Sequence, residues 1–261
     1  MKIYTTPILE KDGHVIDSVD SWFRLAPPKD GENQWVDGRS AKELAKAWFR
    51  KPGHACVPQE LDDLLSSHDD LAGYSIFTGT PEVRVTLDNY PGETRNADMI
   101  LQGRRDEEIM VISVEAKADE QFDVTIGEKV RNAKAASNIP KRVDHLCRAI
   151  FTNSPEQKSS IADLRYQLLH AVAATVIAAG ERRASKALFV VHEFKTDKTD
   201  DRKIADNHTD LETFVAELTR GTTQSVNYGK AVGPISISGG EHVPTGIPLY
   251  IGNIRRITKR I

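Results

Sequence analysis

The chain has 261 residues, of which 39% are hydrophobic and 28% are charged, and its formal net charge is -3. This composition is typical of a folded globular protein and excludes global disorder. The small negative charge excludes indiscriminate binding to nucleic acid, so a nucleic-acid partner requires a local basic surface. Cys56 and Cys147 lie far apart, which argues against a disulfide framework or a zinc ribbon and favours a reducing compartment.

The N-terminal residues and the longest apolar stretch indicate where the protein is located, and the absence of linkers indicates its domain organisation. The first residues lack the apolar core of a signal peptide, and Ala171–Ala179 is too short to cross a bilayer. We therefore expect a cytoplasmic protein with no membrane contact. Since no linker or repeat interrupts the sequence, we expect a single domain over residues 1–261, with N-terminal (1–37) and C-terminal (198–261) elaborations.

The N-terminal half predicts a short strand, two helices and then three strands. Lys2–Leu9 is the first strand candidate. A helix is predicted to begin at Ser40, because Ser40 and Glu43 have the spacing of a capping box. A second helix is predicted near Pro58, with acidic residues in its first turn. Four separate segments are candidates for these strands, three with short extended or alternating patterns and one with a continuous apolar run; they are Tyr74–Phe77, Val83–Leu87, Ala97–Leu101 and Ile109–Val114.

The C-terminal half predicts mainly helices, followed by strands. The predicted helices begin near Val124 and then span Arg142–Phe151, Ser160–Ala179 and Leu211–Leu218, with a buried strand at Ala187–Val191 and two final strands. The run Ile109–Val114 is apolar at nearly every position, as expected for a central strand covered on both faces. The order of elements predicts an α/β fold with a mixed sheet.

Charged residues follow this central strand and point to metal chemistry. Glu115 and Lys117 are two residues apart and therefore project from the same side of the sheet. Asp98 lies on the preceding strand and comes beside Glu115 if the two strands pair. Two neighbouring carboxylates attract a hard divalent cation, and an adjacent ammonium group can stabilise charge that develops on a phosphate. A strand-end ion pair without any catalytic role uses the same residues.

Asp98 together with Glu115-Ala116-Lys117 resembles the PD-(D/E)XK nuclease superfamily, with Ala97 in place of the proline. Further stretches resemble an uncharacterised bacterial branch on the same core; they are Gly38–Trp48, Val114–Phe122 and Leu164–His170. The resemblance implies a restriction endonuclease-like core, in which helices flank a mixed central β-sheet.

The resemblance also implies roles for individual residues. Asp98 and Glu115 would ligate Mg²⁺, for which Mn²⁺ is the expected substitute, and Lys117 would assist the attacking water. Glu60, from the helix before the sheet, is the expected third metal ligand, with Glu82 as the alternative. A polar residue of a later helix often faces such sites, and the best match is Gln167, with Arg165 and His170 as neighbours. His170 is otherwise interpreted as a hydrogen-bonded core histidine.

Basic residues near the site are candidates for binding nucleic acid. The selected residues are Lys129, Arg131, Lys134 and Arg165. They form either a surface that follows phosphates or an ordinary solvated helix face. The basic C-terminal tail Arg255–Arg260 is expected to be merely exposed, with binding to nucleic acid as the alternative.

We therefore expect a Mg²⁺-dependent nuclease, with DNA as the favoured substrate. Two alternatives remain: a non-catalytic binding or regulatory protein on the same fold, and a hydrolase of a smaller phosphate ester. A homodimer is compatible with the resemblance, but no sequence feature marks an interface.

Overall fold

The computed structural model describes residues 6–50, 53–91, 95–153 and 156–258. The helices are α1 (Val19–Leu25), α2 (Ser40–Trp48), α3 (Gln59–Ser66), α4 (Ile126–Arg131), α5 (Ile139–Phe151), α6 (Ser159–Ala162), α7 (Tyr166–Glu181) and α8 (Asp201–Leu218). The strands are β1 (Ile8–Lys11), β2 (His14–Val15), β3 (Ser75–Val85), β4 (Arg95–Arg105), β5 (Glu108–Lys117), β6 (Lys186–Lys195), β7 (Lys230–Ile235) and β8 (Leu249–Ile257).

The described strands form one mixed sheet in the order β2-β1-β3-β4-β5-β6-β8-β7. Strands β3, β4 and β5 form an antiparallel meander, whereas β5, β6 and β8 run parallel. The connection from β5 to β6 contains α4 to α7, and the connection from β6 to β8 contains α8. The carboxyl ends of β5, β6 and β8 therefore lie along one edge of the sheet, which is where ligands commonly bind in α/β proteins.

Helices cover both faces of the sheet. On one face, α5, α7 and α8 pack against side chains such as Val111 and Phe189. On the other face, α1, α2 and α3 pack against side chains such as Ile112 and Leu188. Eight consecutive residues of β5, from Met110 to Lys117, are buried. The predictions of an α/β fold and of a central strand covered on both faces are therefore confirmed.

Several predicted boundaries differ from the structure. The strand candidates at Tyr74–Phe77 and Val83–Leu87 belong to the single long strand β3. The predicted capping box at Ser40 is wrong, because Arg39 occupies the N-cap position of α2 without a side-chain capping bond. The Glu43 carboxylate instead accepts a hydrogen bond from the Gly38 N–H at 2.9 Å. The predicted helix Ser160–Ala179 is divided into α6 and α7 by a short break. Patterns along the chain thus located these elements but did not fix their ends.

Both terminal segments contribute strands to the sheet. Strands β1 and β2 come from the N-terminal segment, and β7 and β8 come from the C-terminal segment. The predicted basic tail begins inside β8, where Arg255 and Arg256 form ion pairs with glutamates; its last two residues lie outside the described residues, as does the start of the predicted strand Lys2–Leu9. In the described part of the chain, no helix is long and apolar enough to span a bilayer.

Candidate active site at the end of the central strand

The pairing of β4 with β5 brings Asp98 next to Glu115. Met99 pairs with Val114 in the antiparallel register, so one further step places Asp98 opposite Glu115. The Asp98 carboxylate also accepts a hydrogen bond from the Ala116 N–H at 2.7 Å, which fixes its orientation at the end of β5. The register therefore produces the two neighbouring carboxylates that the sequence predicts.

The Glu115 carboxylate is almost fully buried and is surrounded by donors. Its side chain is 3% exposed. One oxygen, Oε2, forms an ion pair with Arg95. The other, Oε1, lies 3.2 Å from Lys117 Nζ and accepts a hydrogen bond from the Gln167 amide at 2.5 Å. Because an unpaired buried carboxylate costs several kcal/mol, these contacts are what permits a charge at this position.

Gln167, in the first turn of α7, joins the helix to the strand. Its amide nitrogen donates to Glu115, while its carbonyl oxygen accepts from Lys117 Nζ at 3.0 Å and from the Asp123 N–H at 3.2 Å. The structure thus brings Gln167 to the predicted site. However, its amide orients Glu115 and Lys117, whereas the sequence analysis expected it to face the ligand.

The two carboxyl groups have opposite pKa shifts. Burial would raise the pKa of Glu115, but the cationic Arg95 and Lys117 outweigh it and hold this pKa below its usual value. Burial and the neighbouring Glu115 charge raise the pKa of Asp98 well above its usual value, although Arg95 opposes the shift. The pair therefore favours one negative charge rather than two in the absence of another cation.

A local irregularity in β3 and β4 brings Arg95 to this site. Ala97 packs on the face covered by α5, α7 and α8, whereas Met99, two residues later, packs on the opposite face. The alternation of a regular strand is therefore broken between them. Glu82, which lies across from this point, has a φ of 51°, in the left-handed region. Such strained conformations concentrate at functional sites, and each costs about 1–3 kcal/mol.

Glu82, the alternative third acid, lies close to the carboxylate pair. Its charge contributes to the raised pKa of Asp98, and its own side chain accepts a hydrogen bond from the Asn96 amide. Burial raises the pKa of Glu82 to about 7, although Asn96 and Lys11 oppose the shift. Glu82 is therefore the third carboxyl group of this region.

Glu60, which the sequence analysis favoured as the third ligand, lies elsewhere, and that prediction is wrong. Helix α3 packs on the opposite face of the sheet, close to β8. Its Leu64 side chain lies so near Gly252 of β8 that a Cβ atom added to this glycine would be only 2.5 Å from it. The Glu60 carboxylate accepts hydrogen bonds from His192 at 2.7 Å and from Arg256 at 2.7 and 2.9 Å. These bonds outweigh burial and lower the pKa of Glu60 to about 2.

The predicted nucleic-acid-binding residues divide into two groups. Arg165 Nε donates to Asp210 at 2.8 Å and Lys129 Nζ lies 4.9 Å from the centre of the Tyr166 ring, so both already have partners within the protein. Arg131 and Lys134 are exposed at the end of α4 and after it. The structure therefore gives two of these residues partners within the protein and leaves two exposed, and their binding of nucleic acid stays a prediction.

His170 lies one turn after Gln167 and adds a neutral base to the region. Its ring packs edge-on against Tyr166, with the ring centroids 4.7 Å apart. Burial lowers its pKa well below the usual value, and the nearby charges of Arg95, Lys129 and Lys117 act in the same direction. Its Nδ1 atom is buried without a hydrogen-bond partner in the described residues. The interpretation as a hydrogen-bonded core histidine is therefore wrong for this nitrogen.

The donor set agrees with a hard divalent cation, but the arrangement is not a preformed metal cage. Within residues 6–50, 53–91, 95–153 and 156–258, no group of three or more His, Cys, Asp or Glu side chains is arranged to hold a metal ion. Asp98 and Glu115 nevertheless supply the one or two carboxylates through which Mg²⁺ is commonly held, with water and phosphate oxygens completing its coordination. The Arg95 guanidinium now neutralises the Glu115 oxygen that such an ion would contact.

Comparison with known proteins identifies a family. A model described as a domain of unknown function, DUF6946, matches residues 15–257. The chain belongs to the DUF6946 family. No curated protein and no solved structure gives a significant match. The DUF6946 match includes Glu82, Arg95, Asp98, Glu115 and Gln167, so every side chain that surrounds the carboxylate pair lies within the family domain.

Arg95 and Asn96 lie at the site although no sequence pattern predicted them there. In a regular strand, a residue three positions before Asp98 would project from the opposite face. Alternation therefore does not predict that Arg95 lies at the site. Asn96 was missed for a related reason, since its contact depends on the strained conformation of Glu82.

Proposed function

We propose that this protein is a cytoplasmic phosphodiester hydrolase that uses Mg²⁺ or Mn²⁺ to cleave nucleic acid, with DNA as the favoured substrate. The observation that carries the proposal is the buried pair of Asp98 and Glu115, which lies beside Lys117 at the carboxyl end of the central strand. The order of α3, the β3–β5 meander, the α4–α7 helices and β6 supports a PD-(D/E)XK core for this site.

Each side chain has a defined task in this proposal. Asp98 and Glu115 would hold the cation, which when bound supplies a Lewis acid that activates water and neutralises phosphate charge. Lys117, whose ammonium group is fixed between Glu115 and Gln167, orients the attacking water and stabilises charge on the phosphate. Gln167 keeps both side chains in place, as outer-shell partners do in metal sites.

One observation favours a non-catalytic alternative on the same fold. Arg95 and Lys117 already neutralise Glu115, as they would in a structural ion pair. The two functions differ in their need for a divalent ion. A hydrolase binds Mn²⁺ through Asp98 and cleaves a phosphodiester, whereas a binding protein with a structural ion pair does neither.

The test is cleavage of supercoiled plasmid and of single-stranded DNA by purified protein with Mg²⁺ or Mn²⁺. We expect metal-dependent cleavage that is lost in Glu115→Gln, while circular dichroism shows an unchanged fold. Glu60→Gln is the matched control, because this glutamate is also paired with an arginine but lies on the other face of the sheet.

The outcomes separate the two functions. Cleavage by Glu60→Gln but not by Glu115→Gln supports the proposal. Equal cleavage by Glu115→Gln and the native protein would exclude this site, and absence of cleavage together with absence of Mn²⁺ binding would favour the non-catalytic function.

A further inference from the structure

A cleft of about 1100 Å³ adjoins the carboxylate site. Its walls come from the end of β1, the segment after α1, the strands β3 and β4, and the start of α7. Arg95 lines the cleft, and its guanidinium contacts Glu115. The cleft therefore leads to the carboxylate pair, with Arg95 between them.

The cleft is positively charged although the protein as a whole is negatively charged. Its cationic side chains are Lys11, Lys29, Arg84 and Arg95, of which Arg95 is paired with Glu115 outside the cleft. Its acidic side chains are Asp12 and Glu82, so the cations still exceed the acids without Arg95. This excess of cations attracts phosphate groups to the cleft.

Two of these cations are available to a ligand. Lys29 and Arg84 are exposed, and neither forms an ion pair with another described residue. They approach the cleft from different segments of the chain, one after α1 and one on β3. Both can therefore contact phosphates of a strand bound in the cleft.

A second wall of the cleft is apolar. It is formed by Leu25, Ala26, Pro27 and Pro28, and Pro27 is exposed. Sites for single-stranded nucleic acid combine a cationic groove for the backbone with side chains, usually aromatic, on which the unpaired bases stack. Here a proline-containing apolar wall takes the place of the aromatic rings. Bases that are paired in a duplex do not present their faces to such a wall.

The depth of the carboxylate site also discriminates between single and double strands. Glu115 is 2% exposed and Lys117 is 4% exposed. A phosphate must enter the cleft to reach them, and an unpaired strand can do so without bringing a complementary strand.

We propose that this cleft binds an unpaired strand of nucleic acid, with phosphates on Lys29 and Arg84 and bases against Pro27 and its apolar neighbours. The binding site is thereby placed at β1, β3 and the segment after α1, instead of on α4. The inference rests on the proposed function in taking nucleic acid as the ligand of the cleft, but strand binding itself is measured independently of cleavage.

The experiment measures fluorescence anisotropy of a labelled single strand and of its duplex, with EDTA present so that no metal-dependent cleavage occurs. The variants are the double substitution Lys29→Gln/Arg84→Gln and the control Arg131→Gln/Lys134→Gln, which removes the same charge from the surface around α4. We expect the native protein to bind the single strand at least about tenfold more tightly than the duplex.

The cleft variant is expected to bind the single strand at least about tenfold more weakly, and the control variant to remain within about twofold of the native protein. Because each phosphate contact contributes about 0.7 to the slope of log K against log salt for single strands, the cleft variant should lose about 1.4 from this slope. Loss of affinity in the control instead of the cleft variant, equal affinity for duplex, or no binding by the native protein would each overturn the inference.

Plasmid and single-strand cleavage by the same proteins separates this inference from the proposed function. Strand binding through the cleft without any metal-dependent cleavage would refute the hydrolase and leave the binding site. Glu115-dependent cleavage that the cleft variant retains in full, at substrate concentrations below saturation, would refute the binding site and leave the hydrolase.

Discussion

Replacing Arg95 by glutamine should increase the affinity of the protein for Mn²⁺. In the structure the Arg95 guanidinium neutralises Oε2 of Glu115, so a divalent cation at the carboxylate pair must displace it or share this oxygen with it. Glutamine removes the competing charge but keeps a polar side chain beside the cleft. The substitution thus tests whether Arg95 and a metal ion compete for one carboxylate.

The magnitude follows from the strength of the ion pair. Two unit charges about 4 Å apart attract by about 4 kcal/mol at an effective dielectric constant of about 20. In the native protein, hydration of the displaced guanidinium in the cleft compensates for part of this lost attraction. We therefore expect Arg95→Gln to improve the free energy of metal binding by about 1.4–2.8 kcal/mol. Since about 1.4 kcal/mol corresponds to a factor of ten, Arg95→Gln should bind Mn²⁺ about 10- to 100-fold more tightly.

Isothermal titration calorimetry with Mn²⁺ measures this change directly, and thermal unfolding provides a second readout. Without metal, Arg95→Gln should unfold at a lower temperature than the native protein, because Glu115 loses one of its two cations. Saturating Mn²⁺ should raise the unfolding temperature of the variant by more than it raises that of the native protein.

Arg104→Gln is the matched control, since Arg104 lies on the same strand but is exposed and packs against Phe77 at 5.0 Å. Its Mn²⁺ affinity should equal that of the native protein. Asp98→Asn should abolish the binding. Affinity in Arg95→Gln that is no higher than in the native protein, or binding that persists in Asp98→Asn, would refute the competition.

Three other predictions concern buried polar and ionisable side chains. Arg142→Met should lower the free energy of unfolding in urea by about 3–5 kcal/mol, because it leaves the Asp88 carboxylate buried without its bidentate partner; a loss below about 1 kcal/mol would contradict this. Gln167→Leu should lower kcat about 10- to 100-fold with little change in KM, since Glu115 and Lys117 lose their common hydrogen-bond partner; a change in KM alone would instead indicate contact with substrate. Finally, stability should fall as the pH drops below about 6.5. Burial lowers the pKa of both His170 and His192 in the folded protein, so below this pH the unfolded chain binds more protons than the folded one. The free energy of unfolding should therefore fall by up to about 1.4 kcal/mol per pH unit for each histidine. If this dependence on pH, measured by urea titration, is unchanged in His170→Gln and His192→Gln, the explanation is ruled out.

The pairing of Asp98 with Glu115 could be predicted because it depends on features close together in sequence. The apolar run before Glu115 identifies a central strand, and the short connection from β4 favours an antiparallel partner. Alternation within β5 then places Glu115 and Lys117 on one side. These steps need no knowledge of how distant segments pack.

The position of Glu60 and the cleft could not be predicted in the same way. A helix pattern shows which side chains of α3 are buried but not which face of the sheet the helix covers. That choice depends on contacts such as Leu64 against Gly252, which are about 190 residues apart. The cleft likewise forms only when β1, the segment after α1 and α7 meet across the sheet.

The contacts of the two cations explain why a metal ion would displace Arg95 and not Lys117. Lys117 Nζ is held by Glu115 and Gln167 and also lies 5.1 Å from the centre of the Phe122 ring, so its displacement would break several contacts in a buried position. Arg95 borders the cleft, and its Nε atom has no hydrogen-bond partner in the described residues. Movement of Arg95 into the cleft would therefore expose a donor that is at present unsatisfied, while freeing Glu115 Oε2. The same movement would bring the guanidinium towards the phosphates of a strand bound there, so metal binding and strand binding should favour each other. Mn²⁺ affinity that is unchanged by a saturating single strand would show that the two are independent.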